Sequence, residues 1–409
     1  MANDKLLPHL FRTEYRKIVS VLCRHFGFDH IETAEDLASD TFLTAAQTWG
    51  YKGVPDNPVA WLYTVAKNKA KNHLQRDLLF KNTIAPELLN DSSGVHEIYI
   101  DLSPDNINDS QLQMMFALSH PSLSPEAQIG LSLRILCGFG IEEIADAFLT
   151  NKETINKRLA RAKEKLREEK IAIEFPSPSE IDQRLESVLK TIYLLFSEGY
   201  YSTSSNATLR KDLCFEAMRL CTMLVEHKQT DTPQTNALLA LMCFHASRFD
   251  ARIDQNGEII LYHDQDTILW NAELISKGGY FLHNASTGNR LSSYHLQASI
   301  AYWGTQQSDT VEKWETVLQL YNHLLQLEYS PIAALNRTYA FSKVHGKQKA
   351  IVEAEKLNLT GNHFYYTLLG ELYGGIDNKK AMEHFTKALS LAKTENDKKI
   401  IQRKIDSLR

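Results

Sequence analysis

The chain has 409 residues, 43% hydrophobic and 23% charged, with a net charge of −5, the proportions of a soluble globular protein with room for two or three domains. Its longest apolar run, ALLALMCF at 237–244, is far short of the roughly 20 residues a membrane span needs, and the opening MANDKLLPHLF lacks the basic-then-apolar layout of a secretory leader. The cysteines, Cys23, Cys137, Cys214, Cys221 and Cys243, are scattered with no C-x-x-C, which argues against structural zinc and for reduced thiols in a cytoplasmic protein.

The predicted elements begin with a helix over 5–27, whose Leu7, Leu10, Phe11, Tyr15, Ile18, Leu22 and Phe26 fall near one face. A second helix is predicted over 33–49, with Thr33 as N-cap and Ala38, Phe42, Ala45 and Trp49 at the helical period. GYKGVPDNP at 50–58 reads as a loop. Asn57-Pro58, a cap followed by proline at the first helical position, opens a third helix running to about Leu79. Residues 82–112 form an acidic linker: 86–112 carry six Asp/Glu and no Lys/Arg. Short helices follow at 111–118, 125–138 and 141–149, then a charged helix in TNKETINKRLARAKEKLR at 150–167. FPSPSE at 175–180 marks a domain boundary.

Beyond that boundary the pattern predicts helices at 180–197, 206–227, 234–249, 264–277, 290–303, 311–328 and 331–345. One exception is ARIDQNGEIILY at 251–262, where Asn256-Gly257 between β-prone runs predicts a small β-hairpin. Leu335 and Tyr339 recur as Leu369 and Tyr373 at an offset of 34, and AMEHFTKAL completes a tetratricopeptide-like pattern near 331–392. Two copies are fewer than such arrays need alone, so they are expected to cap a longer degenerate helical array. The predicted fold class is all-α with a small β-hairpin insertion.

The charged helix poses a question. Ile155, Leu159, Ala162 and Leu166 make its apolar face, while Lys157, Arg161 and Lys165 line up one turn apart on another, an arrangement that costs about 0.2–0.5 kcal/mol per like-charged pair. IEEIADAFL before it, with Ile141, Ile144, Ala145 and Phe148 on one side, and the Thr150-Asn151 turn complete a helix-turn-helix pattern. In such a motif the second helix enters the DNA major groove, and phosphate pairs the self-repelling cations. In the 57–77 helix, Lys67/Lys71 and Asn68/Asn72 are i, i+4 pairs; Asn reads base edges and Lys neutralises phosphate. Trp61 is placed either to stack on an unpaired base or to pack in the core. Glu35 and Asp36 sit in the first turn of their helix, where they offset its dipole. Asp40 extends them into an acidic row suited to a basic partner or simply to solvent.

In order, AEDLASDTFLTAAQTW, NPVAWLYTVAKNKAKNHLQR, an acidic linker and LSPEAQIGLSLRILCGFGIEEIADAFLTNKETINKRLARAKEKLR resemble an extracytoplasmic-function sigma factor of bacterial RNA polymerase over residues 5–170. The resemblance implies a sigma region 2 helical bundle at 1–81, the linker at 82–112 and a region 4 helix-turn-helix at 113–172. Glu35, Asp36, Asp40 and Thr41 are then expected to face the clamp helices of core RNA polymerase, with region 4 at its flap. Asn57, Trp61, Lys67, Asn68, Lys71, Asn72 and Arg76 are expected to melt and read the −10 element. Lys152, Thr154, Lys157, Arg158, Arg161 and Lys165 are expected to read the −35 element. The family usually has Asp in place of Asn72, Arg in place of Gln75 and Gly in place of Glu153, which bears on promoter preference.

YLLFSEGYYSTS (193–204), LLALMCFHASRFDARIDQNGEIILYHDQDTILWN (238–271), YHLQASIAYWG (294–304) and YSPIAALNR (329–337) resemble the long helical extension of one sigma-factor subgroup. The extension, 178–409, is expected to control activity by contacting the sigma modules or an unidentified signal. His245, Asp250, Asp254, His263, Asp264 and Asp266 cluster in sequence without the spacing of a metal site or a catalytic motif. The reading is therefore a non-enzymatic promoter-specificity factor with promoter DNA and core polymerase as partners, no membrane, no cofactor and no metal. A one-component helix-turn-helix regulator is the alternative, and a repeat-type enzyme or scaffold a third; neither needs both motif blocks.

Overall fold

The computed structural model describes residues 3–84, 100–148, 150–200, 209–254 and 260–408. The chain forms two compact units, Met1–Thr191 and Ile192–Arg409. The first holds α1 (Asn3–Phe26), α2 (Ile31–Lys52), α3 (Pro58–Ile84), α4 (Pro104–Leu118), α5 (Pro125–Leu131), α6 (Ile141–Ala147), α7 (Lys152–Glu168) and the first half of α8 (Ile181–Tyr200). The second holds the rest of α8, then α9 (Lys211–Glu226), α10 (Pro233–Ala246), α11 (Ala272–Ala285), α12 (Ser293–Trp303), α13 (Val311–Leu327), α14 (Pro331–His345), α15 (Lys347–Leu357), α16 (His363–Tyr373), α17 (Asn378–Leu391) and α18 (Glu395–Ser407).

In the first unit α1 is the central helix: Ile18, Val19, Val21 and Leu22 are buried all round, and α2, α3 and α4 each pack on it. The Phe11 ring stacks on Tyr15 and meets Phe42 of α2 edge-on at 5.0 Å between centroids. Asn57 caps α3 as expected, its side chain accepting from the Ala60 N–H at 3.0 Å. Thr33 is not a cap, because α2 starts two residues earlier, at Ile31, with no side-chain cap. The last part of the expected linker is helical: Ser103 caps α4 in front of Pro104, and Arg24 of α1 donates to Asn106 at 2.8 Å.

The apolar 125–138 segment leaves α-geometry at Ser132–Leu136, a π-helical turn closed by the Cys137 N–H on the Ser132 carbonyl. Such turns insert an extra residue per turn and re-aim the side chains they carry; here they turn Arg134 toward α1 and α2. Gly138, at φ 74°, follows, and a Cβ there would stand 3.3 Å from the Arg12 carbonyl. Only a residue tolerant of positive φ and free of a side chain fits that crossing easily. Arg184 on the first half of α8 donates to the Phe116 carbonyl at 2.8 Å, and Thr191 to Gln128 at 2.9 Å.

The predicted β-hairpin at 251–262 is not formed. The described residues contain no strand: an isolated bridge at Ile253 and a single Ile260 N–H to Arg252 carbonyl bond stand in its place, and the Asn256-Gly257 turn lies outside the described residues. Side chains anchor this stretch to helices instead of a ladder. Arg252 lies over the Tyr200 ring, Arg248 over Tyr262, and the Tyr262 hydroxyl donates to the Gly304 carbonyl at 2.9 Å. The helix expected at 264–277 also moves downstream. Asp266 caps only the short 3-10 turn Thr267–Leu269, and α11 begins when Asn271 accepts from the Leu274 N–H at 2.9 Å.

In the second unit α10 is buried on every side. Gly278 of α11 lies against its Phe244, where a Cβ would come within 2.6 Å of the ring. Further on, the α14/α15 and α16/α17 pairs carry the sequence repeat, and Leu335, Ala350, Leu369, Tyr373 and Ala381 share one core. Gly370 lets α16 approach the Phe385 ring of α17, which a Cβ would meet at 2.7 Å.

Two outcomes follow for the second unit. Gly370→Ala forces Phe385 aside and lowers the unfolding free energy by about 1–3 kcal/mol, measurable as an earlier denaturation midpoint. Burial, reinforced by Arg248 and Arg252, holds His245 well below its ordinary 6.5, and burial likewise lowers His295. The unfolded chain then binds protons the folded chain refuses, so their contribution is complete above about pH 6.5 and is lost as pH falls through it. The melting temperature of the second unit falls between pH 6.5 and 5, and His245→Phe makes that fall shallower.

Candidate nucleic-acid interface

α6 and α7 follow one another across the Thr150-Asn151 turn. Asn151 caps α7, accepting the Thr154 N–H at 2.8 Å, and Ile155, Leu159, Ala162 and Leu166 are buried beneath it. The Gly140 N–H is held by Glu143 at 2.8 Å, which fixes the start of α6. Opposite that apolar face, Lys152, Thr154, Lys157, Arg161 and Lys165 are exposed. The ends of the basic stripe are occupied: Lys152 pairs with Glu142 at 2.5 Å, and Lys165 donates to the Ser122 carbonyl at 2.5 Å. Arg158 is half-buried, with its guanidinium over the Phe148 ring at 5.4 Å. It braces the two helices of the motif, so its groups are partly spent inside the fold.

On α3, Leu62, Ala66 and Ala70 face the core, while Asn68, Lys71, Asn72 and Arg76 stand in solvent. Trp61 is half-buried, edge-on to Trp49 at 5.4 Å, so it packs against α2 and keeps part of its surface accessible. Asn57 is committed to its cap. Lys67 is half-buried and lies within electrostatic reach of Asp101. Tyr63 fixes α3 to α1 by donating to Glu14 at 2.5 Å. Burial, and then Glu14, raise the phenol's pKa.

The acidic row on α2 divides. Asp36 and Asp40 are exposed. Thr41 is buried, its hydroxyl donating to the Leu37 carbonyl at 2.8 Å. Glu35 is buried as well, only 8% exposed. Arg134 Nε donates to its Oε1 at 2.9 Å and Lys163 Nζ to its Oε2. Lys163 also lies 3.8 Å from Glu32, which pairs with Arg167. Burial raises the Glu32 carboxyl, but the helix-start N–H, Arg167 and Lys163 outweigh it and hold the pKa below the usual range. Tyr15, whose ring lies under Arg134, is pushed up to about 12, by burial above all.

Sequence patterning did not single out Arg134, Lys163 or Arg167. One signal was available: Lys163 follows Leu159 by one helical turn, on the buried side, where a lone cation needs a partner. Arg134 carried no such signal, because the π-helical turn that aims it has no sequence signature.

Two families match the chain: Sigma-70 region 2 over residues 10–77 and a Family of unknown function (DUF6596) over residues 184–286. An uncharacterised protein of Rhizobium meliloti (strain 1021) is 31% identical over 93% of this chain and 91% of its own length. The RNA polymerase sigma factor YlaC of Bacillus subtilis (strain 168) is 27% identical over 41% of this chain and 93% of its own. The ECF RNA polymerase sigma-E factor of Haemophilus influenzae is 26% identical over 40% of this chain and 86% of its own. The chain belongs to the extracytoplasmic-function sigma factors. It falls in the subgroup with a long C-terminal helical extension. Among solved structures, yeast Tom70 aligns over 99% of this chain and 88% of its own, with a TM-score of 0.31 and 11% identity; a likeness so low carries no argument about fold or function.

In this sigma factor no described helix is long and apolar enough to cross a membrane, and all five cysteines are free and buried. The sequence cluster of acids near His245 is dispersed: Asp250 pairs with Lys211 at 2.5 Å and Asp266 serves as a cap. Asn151→Ala removes the only side-chain cap at the start of α7 and costs about 1 kcal/mol. Amide exchange in the first turn of α7 accelerates accordingly, while α3 exchanges at its wild-type rate.

Proposed function

We propose that this sigma factor binds core RNA polymerase and directs it to a small set of promoters, with 1–81 acting as region 2 and 113–172 as region 4. The observation that carries the reading is the coexistence, in one compact unit, of exposed polar helix faces of two opposite kinds: an acidic one on α2 and basic ones on α3 and α7. Asp36 and Asp40 are the accessible carboxylates for a basic polymerase surface. Asn68, Lys71, Asn72 and Arg76 are the exposed groups of α3 for the −10 element, with Trp61 at its edge. Lys152, Thr154, Lys157, Arg161 and Lys165 serve the −35 element. Mutual repulsion between Lys157, Arg161 and Lys165 is relieved when phosphates supply the counter-charge.

The second unit, with its own cores, acts as the regulatory element. Because the first half of α8 packs on the sigma unit, a truncation that spares residues 1–200 tests this cleanly. Deletion of 209–409 is expected to change promoter output in cells, and unchanged output would remove the regulatory role.

Run-off transcription on a promoter library with core polymerase tests the central reading. Promoter-specific transcripts appear with the full-length chain and vanish with Asp36→Lys/Asp40→Lys. Tight operator binding without polymerase, and no transcript, would instead identify a one-component regulator. Lys157→Ala is expected to weaken DNA binding evenly across sequences, with a shallower salt dependence by about one phosphate contact.

A further inference from the structure

We propose that the second unit carries a binding site for a small oxyanion that also bears a hydroxyl group, built by His245, Arg248, Gln265 and Trp270. Binding is a property of this unit alone; that such an anion is the signal the unit reads rests on the regulatory role proposed above. The starting observation is four polar atoms, His245 Nδ1, Arg248 Nε, Gln265 Oε1 and Trp270 Nε1. All four are closed off from solvent and have no hydrogen-bond partner among the described residues. A buried polar group left unpaired is costly, and folded proteins rarely keep one without a water, an ion or a ligand to serve it.

Backbone bonds bring these side chains together. As α10 ends, the Arg248 N–H donates to the His245 carbonyl at 3.3 Å and the Ala251 N–H to the Arg248 carbonyl at 3.2 Å. The chain then returns on itself. The Ile260 N–H donates to the Arg252 carbonyl at 2.8 Å, Gln265 Nε2 to the Ile260 carbonyl at 3.2 Å, and the Asn271 N–H to the Ser247 carbonyl at 2.8 Å. Gln265 and Trp270 are thereby laid against the end of α10. Aromatic rings wall the place: Tyr200 lies 4.7 Å from the His245 ring and 3.9 Å from the Arg252 guanidinium, and Tyr262 lies 5.3 Å from the Arg248 guanidinium and 6.1 Å from the Trp270 ring.

Charge and donor chemistry define the ligand. Nearby acids are engaged elsewhere: Asp250 pairs with Lys211, Asp266 caps its 3-10 turn, and Asp309 is held by Trp314 and Lys343. Arg248 has no carboxylate partner among the described residues, and after burial it is Arg248 and Arg252 that oppose protonation of His245. An anion relieves that repulsion. Arg248 Nε and Trp270 Nε1 only donate, so they call for acceptor oxygens. Gln265 has spent its Nε2 on Ile260, so its Oε1 calls for a donor on the ligand, which a hydroxyl supplies. Neutral His245 Nδ1 serves either need, according to tautomer. All four side chains are half-buried, which sets the site at the edge of the core and not at its centre. Hydroxycarboxylates and hydrogen phosphate share this chemistry.

The test is titration calorimetry and thermal denaturation of the full-length chain with lactate, inorganic phosphate and propionate, each against sodium chloride at matched ionic strength. Lactate or phosphate is expected to bind and to raise the melting temperature, and which of the two does so tells a carboxylate ligand from a phosphate one. Propionate, which lacks the hydroxyl for Gln265, binds about 10-fold more weakly than lactate if the ligand is a carboxylate. Arg248→Met weakens binding of the preferred anion by about 10-fold or more, the factor a charge-assisted hydrogen bond supplies. Trp270→Phe acts in the same direction and serves if Arg248→Met does not fold. Neither heat nor a melting shift with lactate and phosphate, or wild-type affinity in both variants, would overturn the site and leave its polar atoms to water. That failure involves no polymerase, so the sigma-factor reading would stand. Binding that leaves run-off transcription with core polymerase unchanged would keep the site and remove the anion as the regulatory signal.

Discussion

Glu35 is a carboxylate enclosed in protein, a state that folding tolerates only when opposite charges and hydrogen bonds replace the lost water. Arg134 and Lys163 supply them, and their positions explain much of the first unit. The π-helical turn exists at the place where Arg134 must leave the line of α5. Gly138 permits the crossing with α1 that brings that turn close enough. Lys163 interrupts an otherwise apolar stripe on α7. None of these features helps a free-standing helix-turn-helix, and all of them serve one that packs against a second module. A buried pair of this kind adds little net stability compared with apolar packing. What it fixes is which side of α7 faces α2.

The division of labour between the units follows from composition. In the sigma unit, charge is sorted by face, so that acids and bases remain available to partners of opposite sign. In the second unit, the cores are built from small residues against aromatics: Gly278 on Phe244, Gly370 on Phe385, Ala350 and Ala381 in the shared repeat core. That is the chemistry of stacked helix pairs, where close approach matters more than any single charge.

Much of this was legible in the residues alone. Periodicity located α1, α2, α3, α9, α10 and α12–α14 to within a few residues, and the caps Asn57 and Asn151 behaved as their side-chain chemistry requires. The repeat offset between Leu335 and Leu369 corresponds to one shared core. The failures have physical causes. The β-prone run at 251–262 found better anchors for Arg252 and Tyr262 on helices than in a ladder. Asp266 capped a 3-10 turn where a long helix was expected. Glu35 looked like a surface acid because its cations come from about 100 and 130 residues away, a distance at which no local pattern speaks.

The most direct measurement is the affinity of the full-length chain for core RNA polymerase, set against that of Asp36→Lys/Asp40→Lys, whose two carboxylates are the exposed acids of α2. The account predicts binding by the wild-type chain and its loss in the double variant. Equal affinity of the two chains would contradict it.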